Sequence, residues 1–160
     1  MNPTDILKYG DRFFMQTLEN LPESQWETEG VCGVWSVKDI IAHLAAYEQM
    51  LKEVLAPFAG VTVDTPTLSQ IGEIGPAAWN DVAVEVRRGK SSAETLAEYR
   101  DTYTYIQTQL VPLVAAETWS KVGTLPWYGA EYSLDDYIVY SFYGHKREHG
   151  AQVAVFKDRY

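Results

Sequence analysis

Residues 96–113 carry the pattern that most restricts the fold of this chain. Apolar side chains recur there at alternating spacings of three and four residues, which places them on one stripe of an α-helix. A half-buried strand would need apolar residues at every second position instead. Because such a stripe must pack against other helices, the segment predicts one member of a helical bundle. The stripe consists of Leu96, Tyr99, Tyr103, Ile106, Leu110 and Leu113.

Helical spacing dominates the rest of the chain as well. The main helices are predicted at about 4–20 and 37–56, then from a cap signature at 91–94 to Leu113, and from a second cap signature at 133–136 to Lys157. A short helix is predicted at 77–88, and long irregular connections are predicted at 60–75 and 117–132. Four main helices with two long connections predict an all-α four-helix bundle that is not a simple up-and-down arrangement. Residues 1–160 fit a single domain.

Charge and composition exclude several classes of protein. The net charge is -9, and the 13 basic side chains are scattered, with the densest groups at 87–90 and 146–147. Nucleic acids and anionic membranes are bound through clustered basic residues, so neither is an expected partner. Cys32 is the single cysteine, so no intrachain disulfide can form. Residues 1–5 do not resemble a signal peptide, and no apolar run is long enough for a membrane span, so we expect a cytoplasmic protein.

The three histidines of the chain form a candidate metal site. His145 and His149 are four residues apart on the last predicted helix, and this spacing places two imidazoles on one face, where they can share an ion. His43 lies in the apolar stripe of the second predicted helix, and facing helices commonly build metal sites inside bundles. Two alternatives remain open at this point. His43 could be a core histidine bonded to a backbone carbonyl, and the pair could be a chance arrangement on an exposed face.

Few other residues near these histidines are candidates for catalysis. Asp39 is one turn before His43 and could orient that imidazole or act as a base, but the same residue also completes an N-terminal cap with Ser36. Cys32 precedes a helix N-terminus, where a thiolate is stabilised, although a small buried residue in a turn is the alternative. Trp35, Trp79, Trp127 and Tyr143 could line a pocket, and most of them are expected to be core residues.

The order of these motifs resembles a known superfamily. The segment Gly30–Leu44, with its Trp35-Ser36 pair and His43, and the segment Tyr143–His149 are similar to the signatures of the DinB/YfiT-like putative metalloenzymes. Trp79-Asn80, Pro126-Trp127 and Glu48 further resemble the ClbS/DfsB-like branch. The resemblance implies a four-helix bundle with up-down-down-up topology that is often a homodimer. It also implies nickel or zinc held by three histidines with open coordination positions.

The resemblance also carries an expectation about function. Members of the superfamily include thiol-dependent S-transferases and isomerases that use mycothiol or bacillithiol. We therefore expect a metal-dependent enzyme that acts on a small electrophile by hydrolysis or by thiol transfer. Asn80 joins the pocket candidates, and Glu48 joins Asp39 as a candidate catalytic residue. The alternative is a stress-resistance protein that binds or sequesters a small molecule without turning it over.

Overall fold

The computed structural model describes residues 2–159, and this part of the chain is all-α, with no strand in it. The predicted all-α class is therefore confirmed. The helices are α1 (Pro3–Leu18), α2 (Val37–Leu55), α3 (Pro66–Ile74), α4 (Pro76–Glu85), α5 (Ser92–Tyr105), α6 (Ala116–Ser120), α7 (Leu134–Ile138) and α8 (His145–Lys157). Two π-helical segments extend them: Ile106–Leu110 continues α5, and Val139–Gly144 joins α7 to α8. Within residues 2–159, every helix is too short or too polar to cross a membrane.

Serine caps begin three of the long helical stretches, as the sequence predicts. In each cap the serine side chain accepts from a backbone N–H three residues later, and the acid at that position bonds back to the serine N–H. This reciprocal arrangement satisfies N–H groups that a helix start leaves unpaired. The three pairs are Ser36 with Asp39, Ser91 with Glu94, and Ser133 with Asp136.

The prediction of a long irregular connection at 60–75 was wrong in its second half, which forms α3. Its N-terminus is capped by Glu53, a buried residue of α2, whose carboxylate accepts from the N–H groups of Thr67 and Leu68 at 3.1 and 2.9 Å. Local periodicity does not reveal a cap from a distant residue, which is why this helix was missed. The connection at 117–132 likewise contains part of α6.

The long helices pack in two pairs, α2 with α5 and α1 with α8, while α3 and α4 cover α2. Glycines allow the close crossing of α1 with the last helix. A Cβ at Gly10 would lie 3.3 Å from Tyr143 Cα, and a Cβ at Gly150 would lie 2.7 Å from Phe13 Cε1. The apolar interior is divided into two main clusters, one around Leu51, Ile106 and Ile138 and the other around Phe14, Ile41 and Val153. The up-down-down-up order stays a prediction.

Candidate metal centre

Three imidazoles from two helices meet between α2 and α8. The Nε2 atom of His145 lies 2.9 Å from Nε2 of His43 and 2.9 Å from Nε2 of His149. One ligand atom from each histidine lies within 4.8 Å of the others. His43 comes from the middle of α2, and the other two occupy successive turns at the start of α8. The structure thus brings the three predicted ligands together.

Burial keeps these imidazoles neutral. His43 and His149 are 3% and 6% exposed, while His145 is partly exposed. Loss of hydration, with a smaller contribution from the neighbouring histidines, lowers the pKa of His43 to about 2 and that of His145 to about 3. Burial also lowers the pKa of His149, against an opposing effect of its bond to Gln152. Neutral imidazole is the form that binds metals.

Three neutral imidazoles do not have enough N–H groups to turn both short nitrogen–nitrogen contacts into hydrogen bonds. The amide oxygen of Gln152 lies 2.8 Å from Nδ1 of His149, so Nδ1 donates and Nε2 of His149 carries a lone pair. A neutral imidazole nitrogen either donates one hydrogen or offers one lone pair. Nε2 of His145, which approaches two nitrogens at 2.9 Å, can therefore make at most one full hydrogen bond there.

A divalent cation fits the same donor set. Metal–nitrogen distances of about 2.0–2.1 Å place two ligand nitrogens about 2.9 Å apart when they subtend roughly 90° at the ion, and two pairs here have that separation. The Nδ1 atoms of His43 and His145 are buried and have no hydrogen-bond partner among residues 2–159. If these atoms carry the ring protons, all three Nε2 lone pairs remain available to an ion.

Aromatic rings enclose the cluster on the α2 side. The ring of Trp35 lies 4.9 Å from that of His43, and the ring of Tyr47 lies 4.7 Å from His43 and 4.3 Å from His145. Trp79 packs behind Tyr47 at 5.4 Å. Trp35 also lines a cavity of about 440 Å³, whose charged lining residues are Glu29, Asp39, Asp81, Glu85 and Arg88. This cavity, which none of the three histidines lines, is therefore predominantly acidic.

The five predicted pocket residues do not line one pocket. Trp35 and Trp79 belong to the aromatic enclosure, and Asn80 follows Trp79 with its buried Oδ1 unpartnered among residues 2–159. Trp127 is 61% exposed and packs against Tyr128 and Tyr137. Tyr143 lies beside α1, in a surface groove with Phe13 and Arg147.

The two candidate catalytic acids are both engaged in other interactions. Oδ2 of Asp39 accepts from the backbone N–H and the hydroxyl of Ser36, at 2.9 and 2.8 Å. Glu48 is fully buried and forms an ion pair with Lys146 at 2.7 Å. Each carboxylate thus has a structural partner, and a catalytic role for either stays a prediction.

Sequence reasoning assigned no site role to Tyr47 or Gln152. Tyr47 is four residues after His43, and Gln152 is three residues after His149, so each shares a helix face with a predicted ligand. That spacing is the signal that could have identified both. Their contacts to the rings depend on side-chain conformations that the spacing alone does not determine.

Comparison with known proteins identifies the family. The family model described as the mycothiol maleylpyruvate isomerase N-terminal domain matches residues 7–130. The matched region contains His43 and ends before His145 and His149, so it includes one of the three histidines. No curated protein and no solved structure matches the chain. Because the match covers more than half of the sequence, the chain belongs to the mycothiol maleylpyruvate isomerase N-terminal domain family, within the DinB/YfiT-like superfamily.

Proposed function

We propose that this protein is a metal-dependent enzyme whose centre is formed by His43, His145 and His149, and that it transfers a low-molecular-weight thiol to a small electrophile. The carrying observation is the convergence of three Nε2 atoms whose close contacts cannot all be hydrogen bonds. A divalent ion held by three neutral imidazoles supplies Lewis acidity, which lowers the pKa of a coordinated thiol or water molecule. Nickel or zinc suits an imidazole donor set.

Thiol transfer is favoured over hydrolysis for two reasons. Asp39 and Glu48 each have a structural partner, and a thiol made acidic by a metal ion needs no separate general base to become a nucleophile. The family is also named for an isomerase that depends on mycothiol. Water starts from a much higher pKa than a thiol, so hydrolysis would require the ion to lower the pKa of its ligand much further.

The surrounding residues then have distinct roles. Gln152 accepts from Nδ1 of His149 and fixes the tautomer that presents Nε2 to the ion. The rings of Trp35 and Tyr47 exclude water from the α2 side of the centre. The proposal requires residues 1–160 to act as one domain, because the three ligands lie on both sides of residue 130.

Metal analysis of the purified protein tests the proposal. We expect about one equivalent of nickel or zinc in the wild-type protein and none in the variant with His43, His145 and His149 all replaced by Ala. Glu148→Ala is the matched control, because Glu148 is an exposed residue between two of the ligands on α8. Equal metal content in the wild-type protein and the triple variant would contradict the proposal.

Turnover is measured in the same preparations. Mycothiol and an electrophilic bimane dye should give a conjugate with the wild-type protein, and the rate should disappear after treatment with a chelator. Binding of the dye and thiol without product would instead support the alternative function, a sequestering protein with a metal-anchored pocket.

A further inference from the structure

A second buried polar cluster lies next to the histidines. Nζ of Lys146 and Oε1 of Glu48 are 2.7 Å apart, and both side chains are 1% exposed. The other ion pairs within residues 2–159 are more exposed; Arg87 and Glu98, for example, are 13% and 18% exposed. The pair is therefore an unusually deep link between α2 and α8.

Lys146 touches all the long helical stretches of the molecule. Its Nζ pairs with Glu48 of α2 and lies 5.3 Å and 4.9 Å from the ring centroids of Tyr99 and Tyr103 in α5. Its Cδ lies 3.6 Å from the place that a Cβ would occupy at Gly10 of α1. A small displacement of α8 would therefore break several buried contacts of one side chain.

Stability alone does not explain this arrangement. Removing two charges from water costs free energy that their attraction often fails to recover, and apolar pairs of similar volume are frequently as stable. Buried polar groups are known to fix the register of packed helices. The ion pair is therefore expected to fix the position of α8 relative to α2 rather than to add stability.

The ion pair and the histidines join the same two helices. Lys146 directly follows His145, and Glu48 is five residues after His43. Side chains of adjacent helical residues diverge by about 100°, and five residues advance a helix by about 7.5 Å. The contact of His43 with His145 and the contact of Glu48 with Lys146 are thus separate links, and together they restrict both rotation and sliding of α8 against α2.

We propose that Glu48 and Lys146 are positioning residues that hold α2 and α8 in the register at which the three Nε2 atoms converge. This inference rests on the proposed metal centre. Neither residue needs to touch the ion or the substrate. Loss of the ion pair is expected to weaken metal binding and to alter the coordination geometry even where the protein remains folded.

The test uses Co²⁺ as a spectroscopic probe of the full-length protein. In the variant with Glu48→Met and Lys146→Met, neither charge of the pair is left without its partner, so thermal stability of the metal-free protein should remain near that of the wild type. We expect its Co²⁺ affinity to fall at least about tenfold, as for other groups that orient metal ligands, and its visible absorption bands to shift. The matched control is Arg87→Met with Glu98→Met, which should leave affinity and spectrum unchanged.

Glu48→Asp provides a second test if the apolar pair does not fold. It keeps both charges and shortens the acid by one methylene, so the last helix should move towards α2 or lose its contact. A several-fold loss of Co²⁺ affinity with shifted bands is expected. Wild-type affinity and spectrum in the folded variant would overturn the positioning role alone. A wild-type protein that binds no Co²⁺ would overturn the proposed metal centre, and the positioning role with it.

Discussion

The three-histidine cluster and the Glu48–Lys146 pair lie side by side between α2 and α8, yet they differ in charge. The ion pair contains one positive and one negative group and is neutral within itself. The histidine cluster contains three neutral rings whose converging nitrogens lack enough hydrogens to satisfy one another. The charges of the first cluster are balanced within the chain, whereas the lone pairs of the second are suited to an external cation.

This difference predicts opposite responses to perturbation. Breaking the ion pair should damage folding first, because an unpaired buried charge is left behind. Replacing a histidine of the cluster should change metal binding first, because the loss of a neutral ring leaves no unpaired charge in the interior.

Replacing Lys146 with Ala should be the most destabilising change. Glu48 would remain fully buried without its partner, and the expected loss is about 3–5 kcal/mol of unfolding free energy. Urea denaturation of the variant and of Lys8→Ala, an exposed control on α1, measures the difference. A loss below about 1 kcal/mol would show that the interior accommodates the unpaired acid.

The same variant should show a specific pH dependence. Burial raises the pKa of Glu48, and Lys146 opposes that effect, so removal of Lys146 should raise the pKa further. A carboxyl with a raised folded-state pKa favours the folded state when protonated, so the penalty should shrink as pH falls towards the unfolded value. A penalty that is equal near neutral pH and near pH 4.5 would contradict this explanation.

The metal-free histidine cluster should make stability fall in acid. Burial lowers the pKa of His43 to about 2, so the unfolded chain takes up a proton below about pH 6.5 while the folded protein does not. The contribution of His43 to stability is therefore full only well above pH 6.5 and is lost as pH falls, by about 1.6 kcal/mol between pH 6.5 and 5. Denaturation of the chelator-treated wild-type protein and of His43→Phe at pH 6.5 and pH 5 measures this loss of unfolding free energy. The variant should lack the part of the loss that is due to His43.

Gln152→Leu should weaken metal binding without much loss of stability. The amide oxygen of Gln152 accepts from Nδ1 of His149 at 2.8 Å, and loss of such a partner typically costs tenfold or more in metal affinity. Gln152→Glu keeps an acceptor at the same place and should retain the affinity. Isothermal titration with Zn²⁺ compares the variants, and equal affinity for Leu and Glu would argue against an orienting role.

Some features of the fold and of the metal centre could be predicted from the sequence, and others could not. Periodicity located the long helices, and the serine–acid spacings located their starts, because both signals are local. His145 and His149 were recognisable from one helix face, and His43 from its place in an apolar stripe. The capping of α3 by Glu53 and the pairing of Glu48 with Lys146 depend on contacts between distant segments. Such contacts are set by packing, which local spacing does not encode.

The substitution Asp39→Asn distinguishes the two roles predicted for Asp39, and its expected effect on stability is small. In the structure its Oδ2 completes the cap of α2 with Ser36, and Asp39→Asn keeps an oxygen acceptor but removes the base. If Asp39 only caps the helix, the variant should lose less than about 1 kcal/mol of stability and retain conjugation activity and metal content. Ser36→Ala is the matched control, since it disrupts the same cap and leaves the carboxylate in place. A rate that falls a hundredfold in Asp39→Asn but not in Ser36→Ala would make Asp39 part of the chemistry, and the centre would then contain a group that can activate water.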